Sequence, residues 1–201
     1  MARTEAVRRI EVIGDSALAV LAAHGARGLT HRAVDEHAGL PSGSTSYYAR
    51  TRAALLRLAL DHVARSESAI LGIDADLVLP GEPEALADLL ADRLHRLLTS
   101  DPSRLLARYE LAMEATRGDD LRAAYDAEGV RFQRLLTRAL RQVGARSPAR
   151  HSRALLGWSE GVLFRGVAGF GADHPPTRRE LRATARDLLA GMVGPGRSPA
   201  P

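Results

Sequence analysis

Thr30-His-Arg-Ala-Val-Asp-Glu-His-Ala-Gly39-Leu-Pro-Ser-Gly-Ser-Thr-Ser-Tyr-Tyr48-Ala-Arg-Thr-Arg52 is the stretch that decides the fold. Thr30 is a natural N-cap, because its hydroxyl can accept one of the backbone N–H groups that a helix start leaves unpaired. The helix it opens carries Ala33, Val34 and Ala38 inward and stops at Gly39, the residue type that a left-handed interhelical backbone favours. Leu40-Pro41 turns the chain, and Ser42 is placed to cap a second short helix running to Tyr48. Two short helices joined through one glycine also occur in ordinary helical hairpins, but with these caps, this spacing and the Tyr-Tyr-x-Arg-x-Arg follow-on they are expected to form a helix-turn-helix, whose second helix enters a DNA major groove with its N-terminal residues against base edges. The predicted exposed face of that helix is small and hydroxylic: Ser42, Ser44, Thr45 and Ser46. It can approach a groove closely, and the Thr45 methyl can meet a thymine methyl. Tyr47, Tyr48, Arg50 and Arg52 are placed to hold phosphates on either side, with one tyrosine expected on phosphate and one in the core. Backbone N–H groups at the helix starts near Thr30 and Thr51 can also face phosphate.

Helical periodicity extends outward from this stretch. Val7, Ile10, Ile13, Ala17, Leu18 and Leu21 predict a helix over residues 5–24, stopped by His24-Gly25 and followed by a loop at residues 26–29. Leu55, Leu56, Ala59, Leu60 and Val63 form the stripe of a helix beginning near Thr51. The breaker-rich segment from Gly72 to Pro83 reads as a connection. Beyond it helices are predicted at 84–98, 103–117, 119–143, 149 to about 170, and 177–192; Pro102, Pro148 and Pro175-Pro176 punctuate their starts. The expectation is an all-α protein of about nine helices. Residues 1–50 form the helix-turn-helix domain, 51–72 a connecting helix, and 82–193 a helical dimerisation and effector-binding domain. The Gly/Pro/Ser-rich residues 194–201 form a disordered tail.

Composition agrees with that expectation. Of the 201 residues 45% are hydrophobic, mostly Ala and Leu, and only 4% are aromatic, which favours helices over strands and supports a buried core. The absence of Cys excludes disulfides, thiolate metal sites and a cysteine nucleophile. No run of about 18 apolar residues occurs, so neither a signal segment nor a transmembrane helix is expected, and the predicted location is cytoplasmic. All 28 basic residues are Arg, whose planar fork can bind phosphate bidentately. Residues 1–65 hold nine of them against six acids, a mildly basic third suited to a polyanion.

Thr30-x-Arg32-x-Val34, Ala38-Gly39-Leu40-Pro41-x-Gly43-Ser44 and Tyr47-Tyr48-x-Arg50-x-Arg52-x-x-Leu55-Leu56 together resemble the signature of the tetracycline-repressor (TetR) family. The similarity covers roughly residues 7–60. It implies a homodimeric regulator, often a repressor, that binds double-stranded DNA at a palindromic operator and whose C-terminal domain binds a small-molecule inducer. The implied DNA-binding set is Thr30, Arg32, Ser42, Gly43, Ser44, Thr45, Tyr47, Tyr48, Arg50 and Arg52. This chain departs from the family pattern at Asp35 (usually Ala), Thr45 (usually Leu), Ser46 (usually Tyr) and Ala49 (usually Phe). Asp35 is expected to face solvent or pair with Arg32, and the missing bulk at 45 and 49 predicts a loosely packed recognition helix unless Tyr47 or Tyr48 turns inward.

The seven His residues show no ligand spacing with a third ligand in reach, so they are expected at surfaces and helix ends, with no metal, no cofactor and no enzymatic role. Gly157-Trp158-Ser159-Glu160-Gly161 lies within a helix, unlike a nucleophile elbow. Gly157, Gly161, Gly166 and Gly169 instead suggest a smooth helix face. With Val162, and with Leu181, Leu188 and Met192 of the last helix, they predict a four-helix dimer interface. Burial of both stripes within one subunit is the alternative. Tyr109, Met113, Phe132 and Trp158, with Phe164, are candidates to line an apolar effector cavity, with Glu110 or Arg117 as a polar anchor; plain core packing is the alternative for each. Two other functions stay open at this point: a DNA-binding regulator controlled without a ligand, and a helical lipid- or small-molecule-binding bundle carrying a degenerate motif.

Overall fold

A computed structural model describes residues 2–73 and 78–193, with side chains from residue 4 onward; the predicted 194–201 tail and the Asp74–Leu77 part of the connection lie outside the described residues. Among the described residues nine helices follow one another: α1 (Ala2–Gly28), α2 (His31–Ala38), α3 (Ser44–Tyr48), α4 (Arg52–Leu71), α5 (Pro83–Ser100), α6 (Pro102–Ala115), α7 (Asp119–Gln142), α8 (Pro148–Val167) and α9 (Arg178–Met192). The fold is all-α. Among the described residues the sole β feature is one antiparallel bridge between Ala145 and Val193.

Caps fix several boundaries. Thr30 accepts from the Ala33 N–H at 3.1 Å, and Thr51 accepts from the Ala54 N–H at 3.1 Å. α9 begins with a capping box, Thr177 and Glu180 each bonding the other's backbone N–H. Gly39 adopts φ 63°, ψ 32° after α2, as a sharp turn requires. At Gly25 the expectation needs amendment: α1 breaks there at φ 66°, ψ −179°, and a last turn then continues to Gly28 instead of opening into a loop. α8 likewise ends at Val167, so Gly169 lies beyond it.

The chain divides into two packing units, residues 1–69 with 101–128 and residues 70–100 with 129–201. In the first, α1 packs on α2 and α6, and α2 on α3. Ile13, Leu21, Leu29, Val34 and Leu55 are fully excluded from solvent in its core. Each such aliphatic side chain contributes roughly 1.5–3 kcal/mol. α6, expected with the second domain, places Ala107 and Leu111 in this core. The sequence domain and the packing unit therefore do not coincide, because α6 presents its small and branched face to α1. Arg108 of α6 pairs with the buried Glu67 of α4 at 3.2 Å and stacks over Tyr109, 4.9 Å from the ring centroid.

In the second unit α5 packs on α8 and α9. Leu86, Ala87, Leu140, Leu155, Ala185 and Leu189 fill its interior. The α7–α8 turn is tied to the end of α9 by an Arg146 N–H bond to the Met192 carbonyl at 2.9 Å, and its guanidinium donates to Gly191 O at 2.6 Å. Gly166 faces inward: a Cβ built there would stand 2.5 Å from Leu98 Cδ2, so glycine permits that close α5–α8 approach.

Candidate nucleic-acid interface

α3 is only five residues long, too short to be held by its own hydrogen bonds. Its position comes from α2. Asp35 is 3% exposed, and its carboxylate accepts from the Gly43 N–H at 2.8 Å, the Thr45 N–H at 2.8 Å and the Thr45 hydroxyl at 2.6 Å. Burial pushes the Asp35 carboxyl up. The Thr45 hydroxyl, the two backbone donors and the nearby His31 outweigh that and hold it below the usual carboxylate range. Two expectations are corrected here. Asp35 neither faces solvent nor pairs with Arg32, which instead reaches Glu36 at 2.7 Å. Nor does Ser42 cap α3: Gly43 holds the cap position at φ 89°, where a side-chain-free residue suits the backbone, and Asp35 supplies the acceptor from the neighbouring helix.

Of the two packing alternatives the structure has the inward tyrosine, Tyr48, and the same network adds to it. Thr45 is wholly buried and Ala49 1% exposed. His31 Nε2 lies 2.6 Å from the Ala49 carbonyl, which requires the proton on Nε2. Hydrogen bonds from α2 thus take the place of bulk at both ends of α3. Thr45 consequently points inward, away from any groove, and cannot meet a thymine methyl.

α3 exposes Ser46 and Tyr47, the latter 77% exposed, and Ser42 is exposed in the turn before it. Ser44 is half-buried, with its hydroxyl donating to Pro41 O at 2.6 Å, which leaves its oxygen lone pairs for a partner. Tyr48 packs against the first core and meets Tyr47 edge-on, centroids 5.1 Å apart. Arg50 is exposed just beyond the helix, and Thr30 is exposed while capping α2. Arg52 is committed elsewhere. Its guanidinium donates to Leu29 O and Ala26 O, both at 2.8 Å, and reaches Glu114 at 3.2 Å. It braces the segment entering α2, a structural role that the expectation of a phosphate anchor did not include. Glu110 works on the same segment, accepting from the Ala26 N–H at 2.9 Å beside the Gly25 break.

Sequence comparison agrees with this geometry. Residues 81–195, more than half the chain, match the family model described as tetracyclin repressor-like, C-terminal domain. The chain belongs to the TetR family. Among solved structures, a TetR-family member from Streptomyces coelicolor A3 is similar at 27% identity and TM-score 0.71, with 90% of this chain and 97% of that one covered. The multidrug binding protein EbrR complexed with ethidium is similar at 26% identity and TM-score 0.65, covering 90% and 98%. A transcriptional regulator from Rhodococcus sp. Rha1 shares the fold at 18% identity and TM-score 0.77, covering 91% and 95%. No curated protein is a significant match by sequence.

Other predicted TetR-type sites fare unevenly. Leu181 and Met192 are 2% and 9% exposed within the single chain, so the core of the second unit already buries them. Gly157 and Gly161 are exposed, and a Cβ built on either meets no atom within 4 Å; Val162 and Leu188 are half-buried. Of the effector candidates, Tyr109, Met113 and Arg117 fall in the first unit and Phe132 and Trp158 in the second. Tyr109 lies under Arg108, Trp158 packs against the second core, and Met113 is 58% exposed. Arg117 folds back onto Met113 O at 3.1 Å and lies near Glu114. A groove of about 250 Å³ in the first unit is lined by Asp15, Ser16, His37 and Arg104, with none of those candidates. No described helix is long and apolar enough to cross a membrane.

Sequence reasoning missed Asp35 and His31. A weak signal existed for Asp35: an acid ten residues ahead of a buried hydroxyl, with glycine at the intervening cap position. Only the α2–α3 crossing makes those residues neighbours.

Proposed function

We propose that this chain is a non-enzymatic, sequence-specific DNA-binding regulator that acts as a homodimeric repressor and is released by a small-molecule effector. The observation that carries it is the exposed hydroxyl and tyrosine face of α3, braced from behind by α2 within a helix-turn-helix of a TetR-family chain. Ser42, Ser44, Ser46 and Tyr47 supply groove contacts, and Arg50, Arg32 and the N–H groups near Thr30 supply phosphate contacts. Gly157, Gly161, Val162 and Leu188 form the dimer face, which sets the spacing of two half-sites one helical turn apart. The ethidium and proflavin complexes of EbrR make those compounds the first effector probes, with Tyr109, Met113, Arg117, Phe132 and Trp158 as candidate contacts. An effector preferring the non-binding form lowers operator affinity by that preference and no more.

Fluorescence anisotropy on the DNA upstream of the chain's own gene, against an unrelated duplex across a salt series, tests this. Selective binding with a steep salt dependence supports the function, the slope counting the phosphates neutralised. No binding to any duplex at low salt overturns it, and binding that ethidium, proflavin and a wider compound panel all leave unchanged removes the effector.

A further inference from the structure

We propose that Asp35 is the positioning residue on which base selectivity depends: its buried carboxylate, carried by α2, fixes the recognition helix through Gly43 and Thr45. The inference rests on the DNA-reading function above. α3, Ser-Thr-Ser-Tyr-Tyr, contains no Arg, Asn or Gln, so it can make no bidentate contact to guanine or adenine. The base contacts are then single hydroxyl hydrogen bonds from Ser44, Ser46 and Tyr47, joined by Ser42 in the turn before the helix. Such bonds weaken steeply once the donor angle or distance drifts. Phosphate attraction falls slowly by comparison, with a screening length of about 8–10 Å. A small shift of α3 therefore costs base contacts and leaves phosphate binding nearly intact.

Resistance to that shift comes chiefly from one group. The cap residue Gly43 has no side chain to offer; its N–H and that of Thr45 go to Asp35 Oδ2 and Oδ1 at 2.8 Å each, while the N–H of Ser44 bonds Pro41 O at 3.1 Å. The third donor, the Thr45 hydroxyl, locks the fully buried side chain that orients the exposed ones on either side of it. His31 holds the other end through Ala49 O. Asp35 thus sets where the hydroxyl face lies without touching DNA itself.

The test begins by selecting the duplex preferred by the full-length wild type from a randomised pool. Affinity for that duplex and for a scrambled one is then measured across salt for wild type, Asp35→Asn, Thr45→Val and Thr45→Ser, with thermal melting of each. Asp35→Asn and Thr45→Val should lower the ratio of preferred to scrambled affinity by about tenfold or more, the scale of one lost base contact. Scrambled-duplex affinity and salt slope should stay within about twofold. Thr45→Ser keeps the hydroxyl donor and should restore most of the ratio. Should Asp35→Asn fail to fold, Thr45→Val, which keeps both the carboxylate and the volume, makes the same comparison. An unchanged ratio in both variants overturns the proposal. So does an equal loss on both duplexes that tracks a loss of melting temperature, and so does Thr45→Ser behaving like Thr45→Val. A wild type that enriches no duplex sinks the DNA-reading function itself, a failure visible before any variant is made.

Discussion

Arg52→Ala separates a structural arginine from a DNA-contacting one. Arg52 donates from Nη1 to Leu29 O and from Nη2 to Ala26 O, each at 2.8 Å, holding the segment between the Gly25 break and the start of α2. Hydrogen bonds from a charged donor contribute about 1.5–3 kcal/mol each. The side chain is 47% exposed, so these figures should be roughly halved, and the Glu114 contact at 3.2 Å adds about 0–1 kcal/mol. Truncation should therefore cost roughly 1.5–4 kcal/mol. For a chain of this length that corresponds to a fall in Tm of roughly 3–16 °C. Lysine cannot span two carbonyls with a fork, so Arg52→Lys should recover less than half of the loss. Differential scanning calorimetry measures this directly, and a salt series of duplex binding provides the second readout. If Arg52 neutralised a phosphate, its removal would lower the slope of log affinity against log salt by about 0.9. The structural assignment expects that slope to be unchanged well below the melting transition. Unaltered melting with a slope reduced by about one would refute it.

Three further expectations follow from particular contacts. The Asp35 carboxyl titrates below its unfolded value of about 3.9, so between those two values the unfolded chain binds more protons than the folded one. Its contribution to stability is present above about pH 4 and lost as pH falls through the folded value; denaturant midpoints from pH 5 to pH 2 should fall less steeply in Asp35→Asn. Gly14→Ala should destabilise by about 1 kcal/mol or more, although alanine favours a helix by about that amount. The new Cβ would stand 2.4 Å from Cγ of the buried His62 ring, which is tied to Asp15 at 2.9 Å; a raised Tm would contradict this. Gly157→Leu and Gly161→Leu meet no atom of their own chain at the Cβ position, so helical circular dichroism should be retained while sedimentation shifts from dimer to monomer. Dimers surviving both changes would move the interface away from this face.

Local chemistry was legible in the chain because caps, breakers and apolar spacing act within one or two turns. Thr30, Gly39, Thr51 and Thr177 mark helix ends whose geometry depends on residues three or four positions away, and those ends stand where the sequence placed them within a residue or so. The stripe of α4, the all-α class and the two-helix motif were readable for the same reason. Which side of α3 faces outward was not. A five-residue helix has too few turns for periodicity to declare a buried face, so Thr45 read as a groove residue until α2 was seen to cross behind it. Asp35, Arg52 and Glu110 are polar residues whose partners lie 8 to 84 positions away. An isolated acid or arginine suggests solvent or phosphate because no local signal reports a remote carbonyl or N–H. Leu181 and Met192 show the converse case: helical spacing establishes that a stripe is buried, and only tertiary packing decides whether its own chain or a second copy buries it.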